Sequence, residues 1–242
     1  MRVLQFTDLH LRGDPEAETR GVKPQRSFEA VVAHAKAHHS PADAILLTGD
    51  LADDEHASYP RLADAMRELD APLMVLPGNH DDPAALRAAF PQASAVLDLG
   101  SWRIIGVDSQ AAGAVHGEIN ARQWEMLENA VLKASGRHLL VALHHPPLPL
   151  GSEWMDRIGL RDAEAFRQWL TLHGVRACLF GHAHQTWDGE VNGVRYLCAP
   201  STSSQFVAGS ATYAISDEAP GYRWLELHDD GRIDTGVERV AR

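Results

Sequence analysis

Residues 44–50 read AILLTGD, an apolar run closed by glycine and aspartate. A strand with one face in water alternates apolar and polar side chains. This one does not, so both of its faces ask for cover. The same form recurs along the chain. Residues 2–7 read as a strand followed by Asp8 and His10. PLMVLPGNHD (72–81), WRIIGVDS (102–109), HLLVALHHPPLPL (138–150) and VRACLFGHAH (175–184) each begin apolar, and most end on polar, metal-capable side chains. Helical stretches are expected between them, at about 27–39, 59–69, 82–90 and 161–173. A further helix is expected in INARQWEMLENAVLKAS (119–135), where Trp124, Leu127 and Val131 recur at helical spacing and Asn120 can cap the start, with Gln123 three residues on. The chain then turns strand-rich: GEVNGVRYLCAP with a turn at Asn192-Gly193, then ATYAISD and GYRWLELHDDGRI. No repeat and no dividing linker is visible. The expectation is an α/β chain forming one domain over residues 1–242, with two packed mixed β-sheets flanked by helices.

Charge and composition narrow the function classes. Asp and Glu number 33 against 22 Lys and Arg, a formal charge of −11. A broad nucleic-acid or membrane-binding surface normally carries a basic surplus, so long nucleic acid and membrane are not expected partners. The N-terminal run MRVLQFTDLH carries an aspartate at position eight and lacks a signal-peptide pattern. No apolar run nears the roughly 18 residues of a spanning helix. Cys178 and Cys198 sit in apolar runs and read as buried small hydrophobes. A cytoplasmic location fits all of this. The composition also holds 14 histidines, which points toward a metal site with nitrogen and oxygen ligands.

The placement of the polar residues is more telling than their number. Five strands end in Asp8/His10, Gly49-Asp50, Gly78-Asn79-His80-Asp81, His144-His145 and Gly181-His182-Ala183-His184. The crevice beyond the carboxyl ends of strands is where α/β sheets bind ligands. Asp8 and His10 are two apart, as are His182 and His184, so an extended backbone would point each pair the same way. The glycines before Asp50, Asn79 and His182 permit tight turns and close backbone approach. A single Asp after a strand is usually a turn residue, and a single His usually a surface or core residue. Five clusters at five strand ends are not explained by packing. His34, His38, His39, His56, His138, His173 and His228 read as surface or hydrogen-bonded residues, and His145 as either a substrate contact or a buttress.

The motifs D8-x-H10, G49-D50, G78-N79-H80-D81, H144 and G181-H182-x-H184 resemble the calcineurin-like metallophosphoesterase family over nearly the whole chain. GDLADD, LPGNHD, LHHPP and GHAHQ are most similar to its class III cyclic-nucleotide phosphodiesterase branch; a related branch hydrolyses glycerophosphodiesters. The resemblance implies a four-layer αββα sandwich. It implies that Asp8, His10 and His184 hold one metal, that Asp50 is shared, and that Asn79, His144 and His182 complete a second. His80 would stand near the leaving oxygen, with Asp81 orienting it. Two ions, Fe, Mn or Zn in some combination, would be the cofactors, and a homodimer is admitted though no patch demands one. The residue types suit the chemistry. Phosphodiester hydrolysis needs a strong nucleophile at neutral pH and positive charge against the phosphoryl oxygens, and a metal pair about 4 Å apart supplies both. Imidazole with carboxylate suits Zn, Mn or Fe, and neutral Asn79 adds no repulsion toward phosphate.

The expected substrate is a small phosphodiester, a 3',5'-cyclic nucleotide foremost. A glycerophosphodiester or broad-specificity diesterase is the first rival, and an inactive phosphoester-binding scaffold the second. Candidate substrate walls are the 12–25 loop, Trp154 and Met155, and the SSQF segment (203–206); Arg20 and Arg26 read first as solvated surface residues and second as phosphate contacts.

Overall fold

The computed structural model describes residues 1–241. Its elements are β1 (Arg2–Phe6), α1 (Pro24–His39), β2 (Ala44–Thr48), α2 (Tyr59–Arg67), β3 (Leu73–Leu76), α3 (Pro83–Ala89), β4 (Val96–Leu99), β5 (Trp102–Gly106), α4 (Ala121–Leu132), β6 (His138–Ala142), α5 (Glu153–Asp156), α6 (Ala163–Leu172), β7 (Ala177–Phe180), β8 (Trp187–Val191), β9 (Val194–Cys198), β10 (Gln205–Phe206), β11 (Ile215–Ser216), β12 (Gly221–Leu227) and β13 (Ile233–Arg239). One sheet has the order β13-β12-β1-β2-β3 and the other β4-β5-β6-β7-β9-β8. Both are mixed: β1, β2 and β3 run parallel, as do β5, β6, β7 and β9, while β12, β13, β4 and β8 pair antiparallel.

The unbroken apolar strands have the cover they require. In β2, Ala44 and Leu46 face the other sheet, while Ile45 and Leu47 face α1 and α2. In β6, Leu140 and Ala142 face inward, and Leu139 and Val141 pack beneath α4 and α6. Alternate side chains thus enter two different cores, which is the period-2 geometry of a strand with no wet face. Three cores separate four layers, αββα. Among the described residues no helix is long and apolar enough to cross a membrane.

Local signals hold in detail, with instructive exceptions. Asn192 and Gly193 take φ of 52° and 79°, the paired left-handed conformation of a type I′ hairpin turn between β8 and β9. Asn120 caps α4 by accepting from the Gln123 amide at 3.1 Å. The Gln123 side chain does not complete the capping box; it accepts from the Asp108 amide at 3.1 Å. Helix α1 starts at Pro24, earlier than Ser27, because proline suits the first helical turn. Strand β4 has no clear sequence signature, being short and half-buried. The segment 211–217 is strand only at Ile215–Ser216, since its exposed residues find a partner only in β10.

Candidate metal centre

All five polar clusters follow the carboxyl ends of β1, β2, β3, β6 and β7 and meet at one edge of the sandwich. Asp8, His10, Asp50, His144, His182 and His184 are all buried. Ligand-capable atoms of Asp8, His10 and His184 lie within 4.8 Å of one another, as do those of Asp8, Asp50 and His144. The Asp50 carboxylate stands between the groups: Oδ2 lies 3.7 Å from His10 Nε2, and Oδ1 lies 3.4 Å from His144 Nε2. His182 Nδ1 lies 3.2 Å from His144 Nε2.

The backbone reaches this arrangement differently from the extended chain expected. Asp8, His10, Asp50, His182 and His184 all have left-handed φ, between 47° and 66°. Each such residue costs on the order of 1–3 kcal/mol, and such strain concentrates where function over-determines geometry. Long-range hydrogen bonds hold it in place. The amides of Asp8, His10 and Leu11 donate to the carbonyls of Gly49, Asp50 and Leu51 at 2.9–3.0 Å, zipping the loop after β1 to the loop after β2. His182 is the central residue of a tight turn in which the Ala183 amide donates to Gly181 O at 2.7 Å. Its own amide donates to both oxygens of Asp8, at 3.1 and 3.0 Å.

Two glycines are demanded by close approach. A Cβ on Gly78 would collide with the Asp50 carboxylate and amide, and one on Gly181 with Thr7 Oγ1. Gly78→Ala is therefore expected to displace Asp50 and lower kcat about 100-fold, the usual cost of an ångström-scale misplacement, with the circular dichroism spectrum kept. A variant within twofold of the parent would show that the Asp50 position is not critical.

Hydrogen bonds fix the imidazole tautomers. His10 Nδ1 faces Asp53 Oδ1 at 3.0 Å, His144 Nδ1 faces Thr48 O at 2.8 Å, and His184 Nδ1 faces Ser204 O at 2.7 Å. Those oxygens only accept, so each Nδ1 carries a hydrogen, and in a neutral ring Nε2 then turns a bare lone pair inward. The lone pairs of His10 and His184 then meet at 3.0 Å. Burial holds His10 at about 4, so His10 brings no proton to relieve that repulsion at neutral pH. Burial and the neighbouring His144 hold His182 at about 3. Against burial, the Asp50 carboxylate draws a proton onto His144 and raises it to about 9. Asp50 itself is held well below the carboxylate range by His144, again against burial. The Asn79 amide oxygen and His182 Nε2 are shielded from solvent and have no partner. Facing lone pairs, buried carboxylates and an orphaned amide oxygen form a donor set that fits bound cations.

Other residues take roles the sequence did not show. Asp81 is not hydrogen-bonded to His80. Its oxygens accept from the amides of Gly78, Leu51 and Ala52 at 2.9–3.1 Å and from the Tyr59 hydroxyl at 2.8 Å. The carboxylate facing His80 Nδ1, at 3.1 Å, is the exposed Asp54. Asp53 takes the Nδ1–H of His10 and also meets Arg12 at 3.2 Å and Arg20 at 3.6 Å. The run of acidic residues in GDLADD was the available signal for both. His145 is a buttress: it faces Ser109 Oγ at 2.8 Å and Val115 O at 3.2 Å, using both ring nitrogens. Ser201 donates to Asp8 O at 2.6 Å. Arg26 is exposed and pairs with Glu16 at 2.8 Å, away from the centre.

Known proteins resemble this chain in different degrees. The chain is 39% identical over 243 residues to the 3',5'-cyclic adenosine monophosphate phosphodiesterase CpdA of Pseudomonas aeruginosa, covering 98% of this chain and 89% of that protein. The CpdA of Escherichia coli K12 is 39% identical over 248 residues, covering 100% of this chain and 90% of that one. Among solved structures, a dimetal phosphatase from Danio rerio superimposes with a TM-score of 0.64 over 99% of both chains at 11% identity, a likeness of fold. Residues 1–186 match the family model described as calcineurin-like phosphoesterase. With that match across most of its length, the chain belongs to the calcineurin-like phosphoesterase family.

Proposed function

We propose that this chain is a metal-dependent phosphodiesterase that hydrolyses 3',5'-cyclic nucleotides, cAMP foremost. The observation that carries the two-metal reading is the Asp50 carboxylate, with one oxygen toward His10 and the other toward His144. Asp8, His10 and His184 would hold one ion, Asn79, His144 and His182 the other, and Asp50 both. Fe, Mn and Zn all suit this mix of imidazole, carboxylate and amide. When bound, the ions supply Lewis acidity toward the phosphoryl oxygens and toward water. The chain's own residues do the rest. Thr48, Asp53 and Ser204 aim the imidazoles, and Asn79 ligates without added negative charge. His80, about a quarter exposed with Nδ1 toward Asp54, would offer Nε2 to the departing oxygen. Residues 1–242 act in this reading as one domain, since positions 8 to 204 contribute to one site. Both cysteines are free and buried, which suits a reducing compartment and a cytoplasmic location.

The cyclic-nucleotide step is supported by the full-length similarity to proteins named as cAMP phosphodiesterases. A kinetic panel under one Mn condition tests it. The kcat/KM for 3',5'-cAMP is expected to exceed those for 2',3'-cAMP and glycerophosphodiesters by at least about tenfold, roughly 1.4 kcal/mol of transition-state discrimination. The reverse order would favour the glycerophosphodiesterase reading. No turnover of any diester by fully metal-loaded protein would favour the scaffold.

A further inference from the structure

A run of aromatic rings leads from the candidate ligand His184 toward solvent. The Phe206 ring stacks on His184 with centroids 4.1 Å apart and planes 18° from parallel. Phe206 meets Trp154 at 5.3 Å and Tyr213 at 5.2 Å, both edge-on, and Trp154 meets Tyr213 at 5.4 Å. The loop carrying Trp154 is tied to the loop carrying Tyr213 through Ser152 Oγ, which donates to Ser210 O at 2.7 Å. Phe206 is 8% exposed and forms the floor; Tyr213 is 52% exposed and forms the rim. Two features exceed what loop packing needs. A large aromatic ring stands half in water beside a polar centre. The Trp154 indole N–H, shielded from solvent, has no acceptor, although buried indoles usually find one.

We propose that Tyr213 and Trp154 form the wall against which the nucleobase of the substrate stacks. The inference rests on the cyclic-nucleotide reading and places the base in that same site. A phosphate at the centre beside His184 leaves the base several ångströms away, the scale of the steps through Phe206 to Tyr213. Stacking uses the π-face that every base has, so this wall selects nucleotides over diesters lacking a base; it does not select adenine over guanine.

The test uses Mn-loaded full-length protein and compares AMP with inorganic phosphate as inhibitors of cAMP hydrolysis. Tyr213→Ala is expected to raise the Ki of AMP and the KM of cAMP about tenfold, in the range of one lost base stack, while the Ki of phosphate moves less than twofold. Tyr213→Phe, which keeps the ring, should restore both values. AMP should also quench intrinsic fluorescence saturably, and Trp154→Phe should remove that quench. Wild-type turnover of cAMP with an unchanged ratio of the two Ki values in Tyr213→Ala would overturn the wall. Absence of cAMP turnover by the loaded wild type would overturn the cyclic-nucleotide reading instead.

Discussion

Asp50→Ala is expected to lower kcat/KM for the preferred diester by at least about 10³-fold, some 4 kcal/mol of transition-state stabilisation, and to empty both metal positions. Its two oxygens face the two imidazole groups separately, at 3.7 Å from His10 and 3.4 Å from His144. Alanine therefore removes a donor from each group and one of the negative charges that draw cations there. Asp50→Asn, which keeps one oxygen and loses the charge, should fall between. Metal content after gel filtration and steady-state kinetics check this together. Retention of two ions per chain, with activity within tenfold of the parent, would defeat the shared-ligand assignment.

Asp81→Ala should act chiefly on stability. Three backbone amides and the Tyr59 hydroxyl donate to this buried carboxylate. Burial, with Asp50 nearby, pushes Asp81 up to about 6 in spite of those amides. Ionising the group therefore opposes folding at neutral pH. Its removal still leaves four donors unpaired, at a cost of about 3–5 kcal/mol, or a fall in Tm of about 10 °C for a chain of this length. It also frees the Asn79 loop from the Asp50 loop, so weaker metal retention should accompany the lower Tm. Tyr59→Phe should cost only about 1 kcal/mol. Asp54→Asn, which suits the left-handed φ of 61° at this exposed position, should leave Tm unchanged. If Asp81→Ala kept its Tm and changed only the dependence on leaving group, Asp81 would be the partner of His80 after all.

These two carboxylates mark the limit of what was readable from the chain. GDLADD and GNHDD together present five acidic residues within 34 positions. The motif picks out Asp50 because a glycine precedes it at a strand end. Nothing local distinguishes Asp53, which holds His10, from Asp54, which faces His80, or from Asp81, which clamps two loops. The directions of Asp8 and His10 could not be read from an alternating strand either, because both residues have left the strand and turned left-handed. Main-chain acceptors such as Thr48 O and Ser204 O leave no trace in side-chain identity, yet they decide which imidazole nitrogen faces the centre.

The sequence by itself determined the layers, the loops that carry the chemistry and the types of donor they bring. Apolar runs, helical spacing, caps and turn residues are local, and each states its environment within a few positions. Only the tertiary structure decided which oxygen meets which imidazole, and which aspartate orients, clamps or bridges. The physical reason is that left-handed residues are locally unfavourable. They persist here because amides of the loop after β1 are hydrogen-bonded to carbonyls some 40 residues away, and no local pattern encodes that pairing.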